Sequence, residues 1–133
     1  MRRNAGQSLV EMALVLPLLL LLIMGLVQLS TILRSKMILE HAAREGGRLA
    51  AVTALEDGSD DRIKQAVINA AASLDPAIKG TDIVISPAEV ETGRISGSPI
   101  TVGIDYLLPL QIPIINSIID RCPLRSRVVM RIE

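Results

Sequence analysis

Gly6-Gln7-Ser8-Leu9-Val10-Glu11-Met12-Ala13-Leu14-Val15-Leu16-Pro17-Leu18-Leu19-Leu20-Leu21-Leu22-Ile23-Met24-Gly25-Leu26-Val27 follows a short basic leader that carries Arg2 and Arg3. No charged residue occurs from Met12 to Leu33. At about 1.5 Å per helical residue this stretch is roughly 33 Å long, enough to cross a hydrocarbon core of about 30 Å. It reads as a membrane helix. A cleaved secretory signal would have a shorter apolar region and then a small-x-small site. Gln28 to Arg34 offers no such site, and helix-forming composition continues to Leu55 without a further proline or turn cluster. The expectation is one long helix over residues 7–55, in the membrane over about 12–33. Pro17 and Gly25 are weak points in it. Either they permit a local kink, or they reflect the tolerance of membrane helices for both residues.

The rest of the chain is short. The protein has 133 residues, about one domain, with 50% hydrophobic residues and a mean hydropathy of +0.46. It has no Phe, no Trp and one tyrosine, Tyr106, so a core must be built from Leu, Ile, Val, Ala and Met. Fourteen basic residues balance 14 acidic ones, leaving no global field that favours nucleic acid. The lone cysteine, Cys122, excludes an internal disulfide and a zinc cluster. A small buried or surface thiol, or an intermolecular bridge, stays open for it. His41 has no ligand partners nearby in sequence, and no Ser-His-Asp set or phosphate-binding loop occurs. The chain reads as non-enzymatic, with no catalytic residue, cofactor, metal or small-molecule substrate.

Two features of the N-terminus carry chemistry. A protease working at a membrane surface needs a scissile site without a bulky side chain, and Gly6 supplies one. Glu11 places a carboxylate at the edge of an apolar run, which is costly unless the charge is compensated. It either pairs with another group or sits at the headgroup level near a helix N-terminus, where the helix dipole favours it. The Lys/Arg count does not fix orientation, because Arg2 and Arg3 face Arg34, Lys36, Arg44 and Arg48 on the other flank.

The basic leader, Gly6, Glu11 and the apolar helix together resemble a class III prepilin signal. The stretch Gly6 to Leu19 is similar to the opening of TadE-like proteins of Tad (Flp, type IVb) pilus systems. His41-Ala42-Ala43-Arg44-Glu45-Gly46-Gly47-Arg48-Leu49-Ala50-Ala51 resembles that family's second block, and Arg127 to Glu133 its terminal strand. The resemblance is strong over residues 6–52 and weak over 53–123. It implies a minor pilin or pseudopilin taking part in pilus assembly for adhesion or secretion. It further implies cleavage after Gly6 by a prepilin peptidase, with Gln7 as the first mature residue and Glu11 the fifth. Glu11 would then pair with the new amino terminus of a neighbouring subunit. The implied partners are membrane lipid, the peptidase and other pilins or pseudopilins of a Tad system, with no nucleic acid. The implied location is the bacterial or archaeal cytoplasmic (inner) membrane, single-pass, with residues 1–6 as leader and an extracytoplasmic head over 56–133. A permanent single-pass anchor with a protein-binding head is the alternative.

Beyond the membrane, Ala42, Gly46, Ala50 and Ala54 are spaced by four, as are Ala43, Gly47 and Ala51. Residues four apart share a helix face, and small side chains there let a neighbour approach closely. Two adjacent glycines cost roughly 1 kcal/mol each in a helix interior, which close contact would justify. Either the chain's own head or another subunit could be that neighbour. Glu56-Asp57-Gly58-Ser59-Asp60 is a turn cluster. After it, Ile63, Val67, Ala70, Ala71 and Leu74 mark a second helix ending by Asp75-Pro76. Strands are expected at Thr81–Ser86, Ile100–Tyr106 and Leu124–Ile132, with a turn-rich link over Gly93–Pro99. The fold class is therefore α+β: a long N-terminal helix, a short second helix and a three-stranded antiparallel sheet, pilin-like overall. Leu107 to Ile119 is apolar enough either to cover the sheet or to dock on a membrane or a partner.

Overall fold

A computed structural model describes residues 3–88, 94–110 and 121–133, with side chains from residue 6 onward. Helix α1 runs unbroken over Arg3–Thr53 and α2 over Ser59–Ala70. Strands β1 (Ile83–Ser86), β2 (Pro99–Pro109) and β3 (Arg121–Arg131) form one antiparallel sheet in the order β1-β2-β3. The α+β, pilin-like architecture is the one the sequence pattern predicts.

α1 has 51 residues, about 77 Å of helix at about 1.5 Å each. It starts ahead of residue 7, because nothing in the leader breaks a helix and a single glycine does not end one. Pro17 sits inside it without ending it. The two halves of α1 differ in what surrounds them. The apolar side chains from Leu9 to Val27 stand exposed. From Ser35 onward Leu39, Ala42, Ala43, Gly46, Gly47, Ala50 and Thr53 are buried, at the three- and four-residue spacing of one helix face. A turn containing Gly58, with φ 71°, then reverses the chain into α2. Asp60 and Asp61 in the first turn of α2 suit the positive end of the helix dipole.

The sheet covers this face of α1. Along β2 the side chains alternate, and Ile100, Val102, Ile104, Tyr106 and Leu108 point inward. Pairing runs from Ile83↔Ile104 on one side and from Pro99↔Arg131 to Pro109↔Arg121 on the other. β2 runs antiparallel to α1 in space: its last residues reach Ile23–Thr31, while the end of β3 meets the end of α1 through Glu133 N–H donating to Ala51 O at 2.9 Å. Leu39, Ile63, Val67, Ile100, Val102 and Ile104 are the fully enclosed centre. Tyr106, the single aromatic, is buried and donates its hydroxyl to Pro76 O at 2.9 Å. Burial, and secondly the Asp75 carboxylate, raise its pKa, so the hydroxyl keeps its proton and the hydrogen bond.

Several other boundaries move. β1 begins at Ile83 because Gly80–Asp82 form a 3₁₀ turn, with the Asp82 carboxylate accepting the Lys79 N–H at 2.9 Å. α2 ends at Ala70, and Leu74 and Ile78 reach the core from the segment after it. β2 and β3 are each longer at the Pro109–Arg121 end, where cross-strand pairing carries them on. In the apolar Leu107-to-Ile119 stretch, Leu108 is buried and Leu107 is 52% exposed; residues 111–120 lie outside the described residues.

The glycine pair faces the chain's own head. A Cβ on Gly46 would overlap Val67 Cγ2, whereas one on Gly47 would meet Met130 Cγ and Val128 Cγ1, both at 3.2 Å. Gly46→Ala should therefore lower head stability by about 1–3 kcal/mol through overpacking, despite the helix-propensity gain. Gly47→Ala should cost less, because the Met130 side chain can yield. Denaturant unfolding in detergent micelles checks the order of the two.

Candidate functional site

The first candidate set lies near the start of α1. Gln7 and Glu11 are one turn apart, and Gln7 Nε2 donates to Glu11 Oε1 at 3.2 Å. Both side chains are exposed. α1 begins at Arg3, so Glu11 lies two turns inside it, and no acidic residue occupies its first turn. Helix-end charge fades within the first turn, so the dipole does little for Glu11 in the full-length helix. Gly6 is also inside the helix, and a Cβ there would meet nothing within 4 Å. Packing gives no reason for glycine at position 6, in contrast to Gly46 and Gly47.

The second set is the small-residue stripe. Ala42, Ala43 and Ala50 are completely enclosed, Gly46 and Gly47 are buried, and Ala51 is half-buried. α2 and β2 close over Gly46, and β3 closes over Gly47. The stripe is thus occupied from within the chain on both sides. Exposed on the opposite face are His41, Arg44, Glu45 and Arg48. Glu40 lies between Lys36 at 3.8 Å and Arg44 at 3.5 Å, surface pairs worth only tenths of a kcal/mol.

Two features escape a reading of sequence alone. Arg94, in the expected link, has a side chain only 5% exposed. It donates to Pro87 O at 2.8 Å, Ser59 Oγ at 2.9 Å and Ala54 O at 3.3 Å, and it pairs with Asp60. One guanidinium thus ties the end of α1, the start of α2 and the segment after β1. The turn cluster signalled Ser59 and Asp60 as helix-start residues, but no sequence spacing points to a partner 34 residues away. The second feature is the outward face of β3, where Arg121, Arg125, Arg127 and Arg131 are all exposed. Their even-numbered separations were visible as strand periodicity. Asp105 pairs with Arg125 at 3.0 Å, and Arg131 Nε donates to Gly97 O at 2.8 Å.

An apolar helix that is exposed over one half among the described residues and is the core of an α+β head over the other gives a pilin-like fold. Residues 6–48 match the family model described as TadE-like protein, in agreement with the resemblance read from the sequence. That stretch includes Gly6, Glu11, the apolar run and the stripe as far as Gly47. The match stops short of Ala50 and Ala51 and leaves the α2 and sheet residues outside it. No curated protein and no solved structure matches the chain significantly. A TadE-like segment points to a role connected with Tad pili, and its helix is long and apolar enough to cross a membrane.

Arg94→Ala should lower head stability by about 1–3 kcal/mol, because it removes a guanidinium that donates to the part-buried Asp60, Ser59 Oγ and two carbonyls. Arg94→Lys should recover only part of this, since an ammonium cannot reproduce the guanidinium fork. Removing the exposed Arg62–Glu56 pair with Arg62→Ala should cost about 0.5 kcal/mol or less. Denaturant midpoints of the three variants decide the matter.

Proposed function

We propose that this chain is a minor pilin or pseudopilin that takes part in assembling a Tad (Flp, type IVb) pilus. It is inserted once in the cytoplasmic membrane, with its head on the extracytoplasmic side. A prepilin peptidase removes residues 1–6, and Gln7 becomes the amino terminus. Glu11 then lies little more than one turn from that terminus, where its carboxylate compensates the new ammonium group of a neighbouring subunit within the apolar bundle. The other pilins or pseudopilins of the same system are its partners, and surface adhesion or secretion is the service it contributes to.

The observation that carries this reading is the contrast among glycines. Gly46 and Gly47 are explained by contact, while Gly6 stands open on the helix surface beside Gln7 and Glu11. Gly25 is equally open within the apolar run, so it is the place of Gly6, ahead of Glu11 and that run, that fits a residue selected by a protease. The TadE-like match over residues 6–48 supports it independently.

Intact-mass measurement tests the proposal. In a host with an active prepilin peptidase the mature chain should begin at Gln7, and Gly6→Val should retain the leader. The open space around Gly6 means that this substitution leaves the fold undisturbed. A wild-type chain that keeps Met1 in such a host would establish a permanent anchor instead.

A further inference from the structure

The lower end of the head reaches unexpectedly far down α1. A cavity of about 270 Å³ lies between Ile23, Met24 and Gln28 of the helix and Asp75, Leu108 and Pro109 of the head. If the hydrocarbon boundary stood at Leu33, the helix positions that these head residues face, Ile23 to Thr31, would lie about 3–15 Å below it. Asp75 is exposed, and an exposed carboxylate at that depth is strongly disfavoured. Irregular backbone beside it would also lose its water. The cavity wall changes character where a membrane boundary would: apolar at Ile23 and Met24, polar at Gln28, Thr31 and Asp75.

We infer that the head is seated directly on the phospholipid headgroup surface of the bilayer that α1 crosses, with the boundary at about Gln28. This rests on the membrane-spanning reading of α1. The span is then about twenty residues, from Leu9 to Gln28, which is roughly 30 Å and matches a hydrocarbon core. Glu11 falls near the opposite boundary. The rim that meets the lipid combines apolar groups with charges of both signs. Leu107 and Ala77 are exposed on it, and Lys79, Arg121 and Arg125 line the same groove together with Asp82 and Asp105. Apolar side chains suit the acyl–headgroup border, and mixed charges suit the polar headgroup layer. A direct covalent link through α1 holds this rim at the surface, so weak individual contacts suffice.

The test uses the full chain in a Cys122→Ser background, reconstituted in phosphatidylcholine/phosphatidylglycerol vesicles. An environment-sensitive fluorophore is placed at Ala77→Cys or Leu107→Cys on the rim. Controls are Val52→Cys and Ile95→Cys at the far end, both exposed, and Leu16→Cys within the span. The rim labels should shift to the blue and lose intensity to shallow doxyl-labelled lipid. The far-end labels should do neither. Rim labels that behave like those at Val52 and Ile95, while Leu16 is quenched by deep doxyl lipid, would overturn the seating and leave the spanning helix intact. An unquenched label at Leu16 would overturn the spanning helix and the seating with it. Rim labels that change only when other pilins are added would assign the rim to a protein partner and also overturn the seating.

Discussion

Where Gly46 faces Val67 and Gly47 faces Met130 and Val128, the backbone of α1 lies directly against side chains from two different elements. A Cβ at either position would crowd a neighbour, and at Gly46 it would overlap one. This contact places the helix inside the head. α2, β2 and β3 all pack on the same half of α1, and Leu39, Ala42, Ala43 and Ala50 complete the surface they share. With one tyrosine and no other aromatic residue, the head lacks large anchors. Close approach of many small and aliphatic surfaces takes their place, since dispersion and apolar burial grow with contact area.

Because α1 is continuous, the same contact fixes the head relative to the bare half. Over Leu9 to Val27 the apolar side chains stand exposed among the described residues, and in water that surface would be strongly unfavourable. A bilayer or a bundle of like helices resolves this. In either setting Glu11 is a carboxylate at the edge of the apolar run, and the proposed role for it is that its charge is matched by a neighbouring subunit. The helix is therefore the central beam of the head and, over its apolar half, long and apolar enough to cross a membrane. The glycines record this division: those at 46 and 47 meet the head, and those at 6 and 25 meet nothing within 4 Å.

Much of this was legible in local pattern. The uncharged run, the spacing of Ala42 to Ala54 and the alternation in β2 each report a periodicity that one element imposes on its own residues. The residues of the proposed processing motif are equally local, as Gly6, Gln7 and Glu11 lie within two turns. The partner of the small-residue stripe was not legible, because small residues show that something comes close without saying what. Arg94 was hidden for a related reason: its partners are scattered from Ala54 to Pro87, and burial of a guanidinium leaves no mark on spacing. The placement of β2 beside Ile23–Thr31, which bears on the membrane boundary, depends on strand direction relative to α1.

The central claim is that the second half of α1 is a structural member of the head. The most direct measurement compares two shortened chains by amide dispersion in NMR spectra and by denaturant unfolding. One begins at Gln28 and keeps the buried half of α1, and the other begins at Asp57 and lacks it. The first should give a dispersed spectrum and a single cooperative transition. The second should give neither, because Ile63, Val67, Ile100 and Val102 lose the surface they pack on. A dispersed, cooperatively unfolding chain starting at Asp57 would contradict the account.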